Sequence, residues 1–445
     1  MGSKWKSIVL NDLINQGHAF LQTGPFGTAL KAEEYSDNGV PLISVREIRN
    51  GYIKIEGTTP RVSRHTTSRL PKFVLNKGDI VFARKGGVDR TAYITEKEAG
   101  WFLGSDGIYL RLDDNYNSLF ISYIMRSPTT REWLIKNSEG TTMPSLNQKI
   151  LSRIPLTIPD LYKQKIIANF LYSLDKKINI NNQLNHTLEQ MSQTLFKSWF
   201  VDFDPVIDNA LDAGNPIPEA MQSRVELRQK VRNSADFKPL PAEIRSLFPS
   251  EFEETELGWG PKGWEIGKLQ DLLILQRGFD LPSTQRNIGL HPIIAASGYN
   301  GTHDIAMVKA PGIVTGRSGV LGNVFLILED FWPLNTTLWV KELKHATPCY
   351  GYELLKMIDF SSFNGGSAVP TLNRNHIHNL DYLLPPRNLI EKFELFSMSL
   401  YRQVHEFKKQ AQTLTALRDT LLPKLISGEL SLEDLPDLST DTEAA

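Results

Sequence analysis

Cysteine is almost absent from this sequence: Cys349 stands alone, so no intrachain disulfide framework can form, and no CxxC or HExxH is present to hold a metal. His376 and His378 make an HxH, but the pattern brings no third ligand. Long apolar runs are missing as well. No stretch of about 18 apolar residues occurs, and MGSKWKSIVLNDL has neither the apolar core nor the small-residue cleavage site of a signal peptide. The expected location is cytoplasmic. Catalytic signatures are equally scarce: there is no Walker loop and no GxSxG. An adenine methyltransferase needs Asn or Asp, two prolines and an aromatic residue, whereas Pro385-Pro386, the one double proline, follows Leu384. Pro159-Asp160 followed by Asp175-Lys176-Lys177 imitates a nuclease pattern. Those carboxylates would have to converge on Mg²⁺ from a sheet, and Asp175 instead falls between Leu174 and Ile178 in a helical pattern. No catalytic residue and no metal site are expected.

What is present is a soluble, globular composition. The chain has 445 residues, 41% hydrophobic and 22% charged, which predicts two or three domains with cores of their own. Net charge is −1, but it is unevenly spread. Residues 46–90 carry eleven Lys or Arg against four acids, residues 201–260 carry twelve acids against six bases, and 429–445 carry six acids and no base. This segregation fits one basic binding face with acidic linkers held away from it, or a solvated basic face with no partner.

The chain also repeats itself. GTTMPSLN at 140–147 returns as GSAVPTLN at 366–373, and each copy leads into a long amphipathic helix. In the first, Ile167, Leu171, Leu174 and Ile178, then Leu184, Leu188, Met191, Leu195 and Trp199, fall three or four apart, with one slip across the Asn-rich middle. In the second, the stripe is Phe393, Phe396, Leu400, Val404, Phe407, Ala411, Leu414, Leu417 and Leu421, with Pro423 and Gly428 as the stop. Ahead of each helix the match continues. GDIVFARKGG (78–87) resembles GIVTGRSG (312–319), PLIS (41–44) resembles PIIA (292–295), and WKSIVLNDLINQG resembles WEIGKLQDLLILQRG from Trp264. Short β-branched runs between Gly, Pro and Asn turns predict a twisted sheet in each head. Two long helices with narrow apolar stripes find their economical partner in each other. A helix of about 40 residues is roughly 60 Å long, so two heads on such a pair make a ruler for two half-sites of duplex DNA.

Four runs carry a family resemblance: GTTMPSLNQKILSRIPLTIPDLYKQKIIANFLYSLDKKI, LFKSWFVDFDPV, LPAEIRSLFPSEFEETELGWGPKGWEIGKL and LRDTLLPKLISGEL. Together they resemble the specificity subunit of Type I restriction-modification enzymes, over nearly the full length and most closely in the helices and linker. The chain departs from that pattern at YKQK (162–165), where many members have a Glu-Gln pair. The resemblance implies an α+β fold: two tandem target recognition domains of mixed α/β type, joined by two long antiparallel coiled-coil helices in a pseudo-two-fold internal repeat. The expected boundaries are recognition domain 1 at 1–160, spacer helix 1 at 161–200 and an acidic Pro-containing linker at 201–258. Recognition domain 2 follows at 259–388, spacer helix 2 at 389–427 and an acidic tail at 428–445. The resemblance further implies a non-catalytic subunit that binds double-stranded DNA at a bipartite asymmetric site. It would dock two modification (adenine methyltransferase) subunits and restriction subunits. S-adenosylmethionine, ATP and Mg would sit on those partners, and this chain would hold no cofactor.

Within the heads, an Arg that follows a strand and adjoins Gly suits base reading, because its fork matches guanine O6 and N7 and Gly lets the backbone approach. Arg84 and Arg317 fit that description, with Ser318 beside the latter. Lys85, Arg90, Arg46, Arg49 and Arg64 suit phosphate contacts or solvated charge. Tyr299, in AASGYNG with Ser297 and Asn300, reads or stacks on bases or simply turns the chain. Arg374, directly after the second copied loop, is a further candidate contact. Ser145, Asn147, Thr371 and Asn373 in the copied loops either touch DNA or cap the chain entering the next element. Trp199 and Phe200 are expected in a packed junction.

Overall fold

The computed structural model describes residues 5–140, 142–363 and 371–430. It divides into two units: residues up to 180 together with those from 411 onward, and residues 181–410. Thr141, the first five residues of the second copied octapeptide (366–370) and most of the acidic tail lie outside the described residues.

In the first unit, the strands are β1 Lys6–Val9, β2 Ala19–Thr23, β3 Tyr35–Ile43, β4 Arg61–Val62, β5 Ile80–Ala83, β6 Thr91–Tyr93, β7 Phe102–Leu103, β8 Gly107–Leu112 and β9 Pro155–Ile158. They form sheets in the order β2-β8-β5-β6, β4-β3-β7 and β1-β9. In the second unit come β10 Phe252–Thr255, β11 Gly258–Pro261, β12 Glu265–Lys268, β13 Leu273–Arg277, β14 His291–Ala295, β15 Gly298–His303, β16 Gly312–Gly316, β17 Val324–Ile327, β18 Trp332–Pro333, β19 Thr337–Leu343 and β20 Asp381–Leu384. Here the orders are β13-β19-β16-β17, β15-β14-β18, β12-β20 and a β10-β11 hairpin. Three sheets of one head thus recur, strand for strand, in the other. A parallel strand pairing recurs as well, Leu42 beside Phe102 and Ile293 beside Trp332. The same turn also opens each head: the Val9 N–H donates to Asp12 Oδ2 at 2.9 Å, and the Lys268 N–H to Asp271 Oδ2 at 2.8 Å.

The long helices are Leu161–Phe200 and Arg387–Ser427. In the first unit Arg418 Nη1 meets Asp175 Oδ1 at 2.6 Å. In the second, Asn181 Nδ2 donates to Gln410 Oε1 at 3.4 Å, Lys408 Nζ meets Glu189 at 2.9 Å and Ser192 Oγ donates to Ser397 Oγ at 3.1 Å. Partner numbers fall as the first helix ascends, so the helices run antiparallel. The seam corrects the expected slip. Ile167, Leu171, Leu174, Ile178, Asn181, Asn185, Leu188, Ser192, Leu195 and Trp199 alternate steps of four and three without a break. Asn181, Asn185 and Ser192 are buried, while Leu184 and Met191, read as seam residues, are 40% and 51% exposed. Ser397 and Arg418 likewise face inward where Phe396 and Leu417 were expected. Pro423 does not stop its helix, which runs to Ser427 before Gly428 turns out at φ 76°. Proline forfeits one backbone hydrogen bond, but Leu422 and Leu425 beside it are buried and hold the turn in place.

The 201–258 linker is an ordered part of the second unit. Helix Asp204–Ala213 buries Val206, Ile207 and Ala210 and packs beside helix Gln222–Arg232. Asp204, Asp208 and Asp212 on one helix meet Arg224, Arg228 and Arg232 on the other, each pair twenty residues apart. Acids that look like a repulsive run in sequence are therefore neutralised one by one.

Candidate nucleic-acid interface

Each head ends a central strand in an arginine. Arg84 follows β5 and Arg317 follows β16, and both backbones are clamped by the last residues of the copied octapeptide. The Leu146 N–H donates to Arg84 O at 2.8 Å, and the Leu372 N–H to Arg317 O at 2.9 Å. Lys85 pairs with Ser145, and Ser318 with Thr371, as matching antiparallel bridges. Leu146 and Leu372 are 1% and 2% exposed, so each loop is pinned by a buried leucine. The asparagines that follow cap short helices: Asn147 Oδ1 accepts from the Ile150 N–H at 2.8 Å, and Asn373 Oδ1 from the Asn375 N–H at 3.0 Å. The ends of the two copies, Ser145–Leu146 and Thr371–Leu372, are thus a brace for the arginine loop, and Asn147 and Asn373 are caps.

In the first unit, Arg84, Lys85 and Arg90 come together. The Arg84 guanidinium lies 4.5 Å from the centre of the exposed Phe26 ring, and Nη1 donates to Ser105 O at 3.3 Å. Lys85 is 3.6 Å from Asp106. Arg90 packs over Gly87, where a Cβ would come within 2.8 Å of its Nε. Gly86 sits at φ 71°, in the left-handed region that favours glycine, and its N–H reaches Pro144 O at 2.9 Å. The remaining basic candidates are apart from this loop and partly committed. Arg46 bonds Thr58 O at 2.8 Å and Glu47 at 3.2 Å. Arg49 lies 3.8 Å from Glu56 and donates to Arg46 O, and Arg64 opens a short helix in an exposed position. Acids from outside residues 46–90 also answer that segment: Arg69 pairs with Glu34 at 2.6 Å, Lys77 with Glu96 at 2.8 Å, and Lys85 with Asp106. Arg69, and then the Lys31 N–H, hold the Glu34 carboxyl down at about 2. Arg111 bonds the fully buried Asp79 through two nitrogens, at 2.6 and 2.7 Å. Arg131, likewise from outside, pairs with Asp89, so the outside acids and outside bases nearly offset one another and the positive excess seen in sequence largely persists in space.

In the second unit, Arg317 and Arg374 line one cavity of about 470 Å³ with Arg277, Thr371, Leu372, Asn373 and Leu338. Ser318 adjoins it through the bridge to Thr371. Tyr299 is 69% exposed on β15 and does not line it. Sequence reading missed Arg277. The strand registers set Thr23 opposite Arg277 and Gly24 opposite Gly278. Gly24 and Gly278 share a signature: a Cβ on either would strike a neighbouring backbone carbonyl.

The other chemical candidates have structural partners. His378 Nε2 accepts the Leu275 N–H at 2.9 Å, and burial, then Arg374 and Lys344, lower its pKa. Asp160 Oδ1 accepts from the Lys163 N–H at the start of the first long helix. Asp175 sits among Tyr123, Arg126 and Arg418. Burial pushes the Cys349 thiol up, out of the reactive range. Among the described residues no three His, Cys, Asp or Glu come together as metal ligands, and no helix is long and apolar enough to cross a membrane.

Comparison with known proteins adds independent support. Residues 3–190 match the family model described as Type I restriction modification DNA specificity domain. The HindI specificity subunit of Haemophilus influenzae, a Type I restriction enzyme component, is 25% identical over 417 residues, 81% of this chain and 88% of its own. The MjaIX specificity subunit of Methanocaldococcus jannaschii is 23% identical over 91% of this chain and 90% of its own. In fold, the crystal structure of the Type I restriction-modification system S subunit from M. genitalium aligns over 98% of both chains with TM-score 0.59 at 18% identity. These findings bear out the resemblance read from the helices and linker.

Proposed function

The chain belongs to the family of Type I restriction-modification specificity subunits, and from that premise we propose that it recognises a bipartite, asymmetric site in double-stranded DNA, one half-site per head. The observation that carries this reading is the duplicated arginine loop: the same sheet order, the same brace and the same Asn cap present Arg84 in one head and Arg317 in the other. A repeated frame with different flanking side chains is what reading two different short sequences requires, since Arg forks suit base edges and neighbouring Lys and Arg suit phosphates. In this reading Arg84, Lys85 and Arg90 serve one half-site and Arg317, Ser318 and Arg374 the other. Arg46, Arg49, Arg64 and Tyr299 are peripheral contacts. The chain itself is non-catalytic. Its long helices set the unread gap and dock two modification subunits, the adenine methyltransferases, which a restriction subunit joins in the cytoplasm.

The test is to coexpress the chain with its neighbouring modification subunit in a methylation-free host and map methylated adenines across the genome. Two short, different half-sites separated by a fixed gap are expected. Methylation of a single undivided motif would refute the two-head reading, and failure of the two proteins to associate would refute the docking role.

A further inference from the structure

The two heads share a frame but differ at its tips. Thr23 and Arg277 each end a strand, opposite Ile108 and Leu338. Those two residues also pair with Phe82 and Thr315, each two positions ahead of Arg84 or Arg317. Thr23 and Arg277 are therefore counterparts beside the arginine loop. The residue after the capping asparagine is Gln148 in one head and Arg374 in the other. In the first head, Gln148 Nε2 donates to Thr23 Oγ1 at 3.0 Å, a neutral pair. In the second, the same two positions are Arg277 and Arg374, sharing a cavity with Arg317. The acid that meets this cluster, Asp280, lies 3.8 Å from Arg277, and both side chains are more than half exposed, so it neutralises little. Three arginines line one cavity, Arg317 also donating from Nη1 to Asn335 O at 3.5 Å, and together they call for a ligand rich in acceptors. In the major groove guanine offers two acceptors, O6 and N7, to an Arg fork. Adenine offers an acceptor and a donor, N7 and N6, which match a Gln amide. Gln148 keeps Oε1 and one N–H for that purpose after its bond to Thr23.

We infer that the second unit's head reads guanine through Arg277, Arg317 and Arg374, whereas the first unit's head reads an adenine through Gln148, with Thr23 as a positioning residue. The inference rests on the DNA-recognition reading above.

It is tested by mapping methylation motifs of the full complex carrying Arg374→Gln, Arg277→Lys or Gln148→Arg, with circular dichroism melting to verify folding. Arg374→Gln is expected to relax or change a guanine in one half-site only, lowering discrimination there roughly tenfold or more. Gln148→Arg is expected to change an adenine in the opposite half-site. Arg277→Lys keeps the charge and loses the fork, so binding persists while that guanine preference falls. Motifs left unaltered, with binding weakened equally on all sequences and a salt slope shallower by about one per arginine removed, would make these residues phosphate contacts and overturn the inference. A second half-site without guanine would overturn it too. A wild-type complex that yields no divided motif refutes instead the reading on which this one stands.

Discussion

The helix pair is fastened differently in the two units. In the first, the fastening is a charged knot: Asp175 accepts from Tyr123 Oη at 2.8 Å, Arg126 Nη2 at 3.0 Å and Arg418 Nη1 at 2.6 Å. In the second it is aromatic: Phe196, Trp199 and Phe200 pack with Tyr350, Phe393 and Trp264 at ring-centroid distances of 5.0 to 6.3 Å. An apolar cluster stabilises in proportion to buried area and tolerates small displacements. A buried ion network adds little net stability, because desolvation consumes most of its attraction, yet it is directional and strongly penalises any arrangement that breaks it. One fastening supplies strength, and the other fixes which residues of the two helices stand opposite each other.

The largest effect should come from the aromatic side. Trp199 is 2% exposed, and Trp199→Ala should destabilise the second unit by about 3–5 kcal/mol through lost burial and a cavity. Urea unfolding followed by tryptophan-independent circular dichroism would measure it, and a loss near 1 kcal/mol would show that the cluster closes over the gap. The acid dependence should be unchanged in this variant.

On the charged side, Asp175→Asn keeps an acceptor for Tyr123 but removes the charge facing Arg126 and Arg418, with an expected cost of about 1–3 kcal/mol. Burial pulls the Asp175 pKa up, but Arg126 and Arg418 more than offset it, so the folded value is depressed. The stabilisation is therefore fully present above the ordinary aspartate pKa of about 3.9 and is lost as pH falls through the lower folded value. The Glu34 carboxyl, held at about 2 beside Arg69, weakens in the same acid window. Melting temperature of the parent protein should drop below pH ~4, and Asp175→Asn should flatten that drop. Parallel pH curves for the two proteins would mean the knot contributes no linked protonation.

The contrast also explains what could be read from sequence. Helix Leu161–Phe200 was legible because Ile167, Leu171 and Leu174 keep the period, and the repeat was legible because both arginine loops need the same brace. The seam was not, since a search for apolar spacing passes over Asn181, Asn185, Ser192 and Arg418 and selects Leu184, Met191 and Leu417 on the exposed side. Burial of polar groups is decided by a partner on another helix, which no local window contains. Charge pairing was hidden for the same reason: Glu34, Glu96 and Asp106 reach basic residues, and Arg111 and Arg131 reach Asp79 and Asp89, from outside the counted segment. Arg277 was hidden because its place beside the arginine loop follows from strand register, which no local window contains.

The smallest effect tests whether polar seam residues set register within the second unit. Ser192 and Ser397 are fully buried and hydrogen-bonded to each other, with Leu195 and Phe393 about one turn further along the two helices toward the same end. Ser192→Ala leaves one buried hydroxyl without its partner and should cost about 1 kcal/mol, as should Ser397→Ala, whereas the double variant replaces both polar groups and should cost less than their sum. Simple additivity would mean that the hydroxyls do not act as a pair. Stability alone would then understate the role of the contact, because an apolar layer fits several alignments of two helices and a hydrogen-bonded one fits few. Distances between spin labels at the exposed Leu184 and Gln403 should accordingly broaden in the double variant while its melting temperature stays near that of the parent.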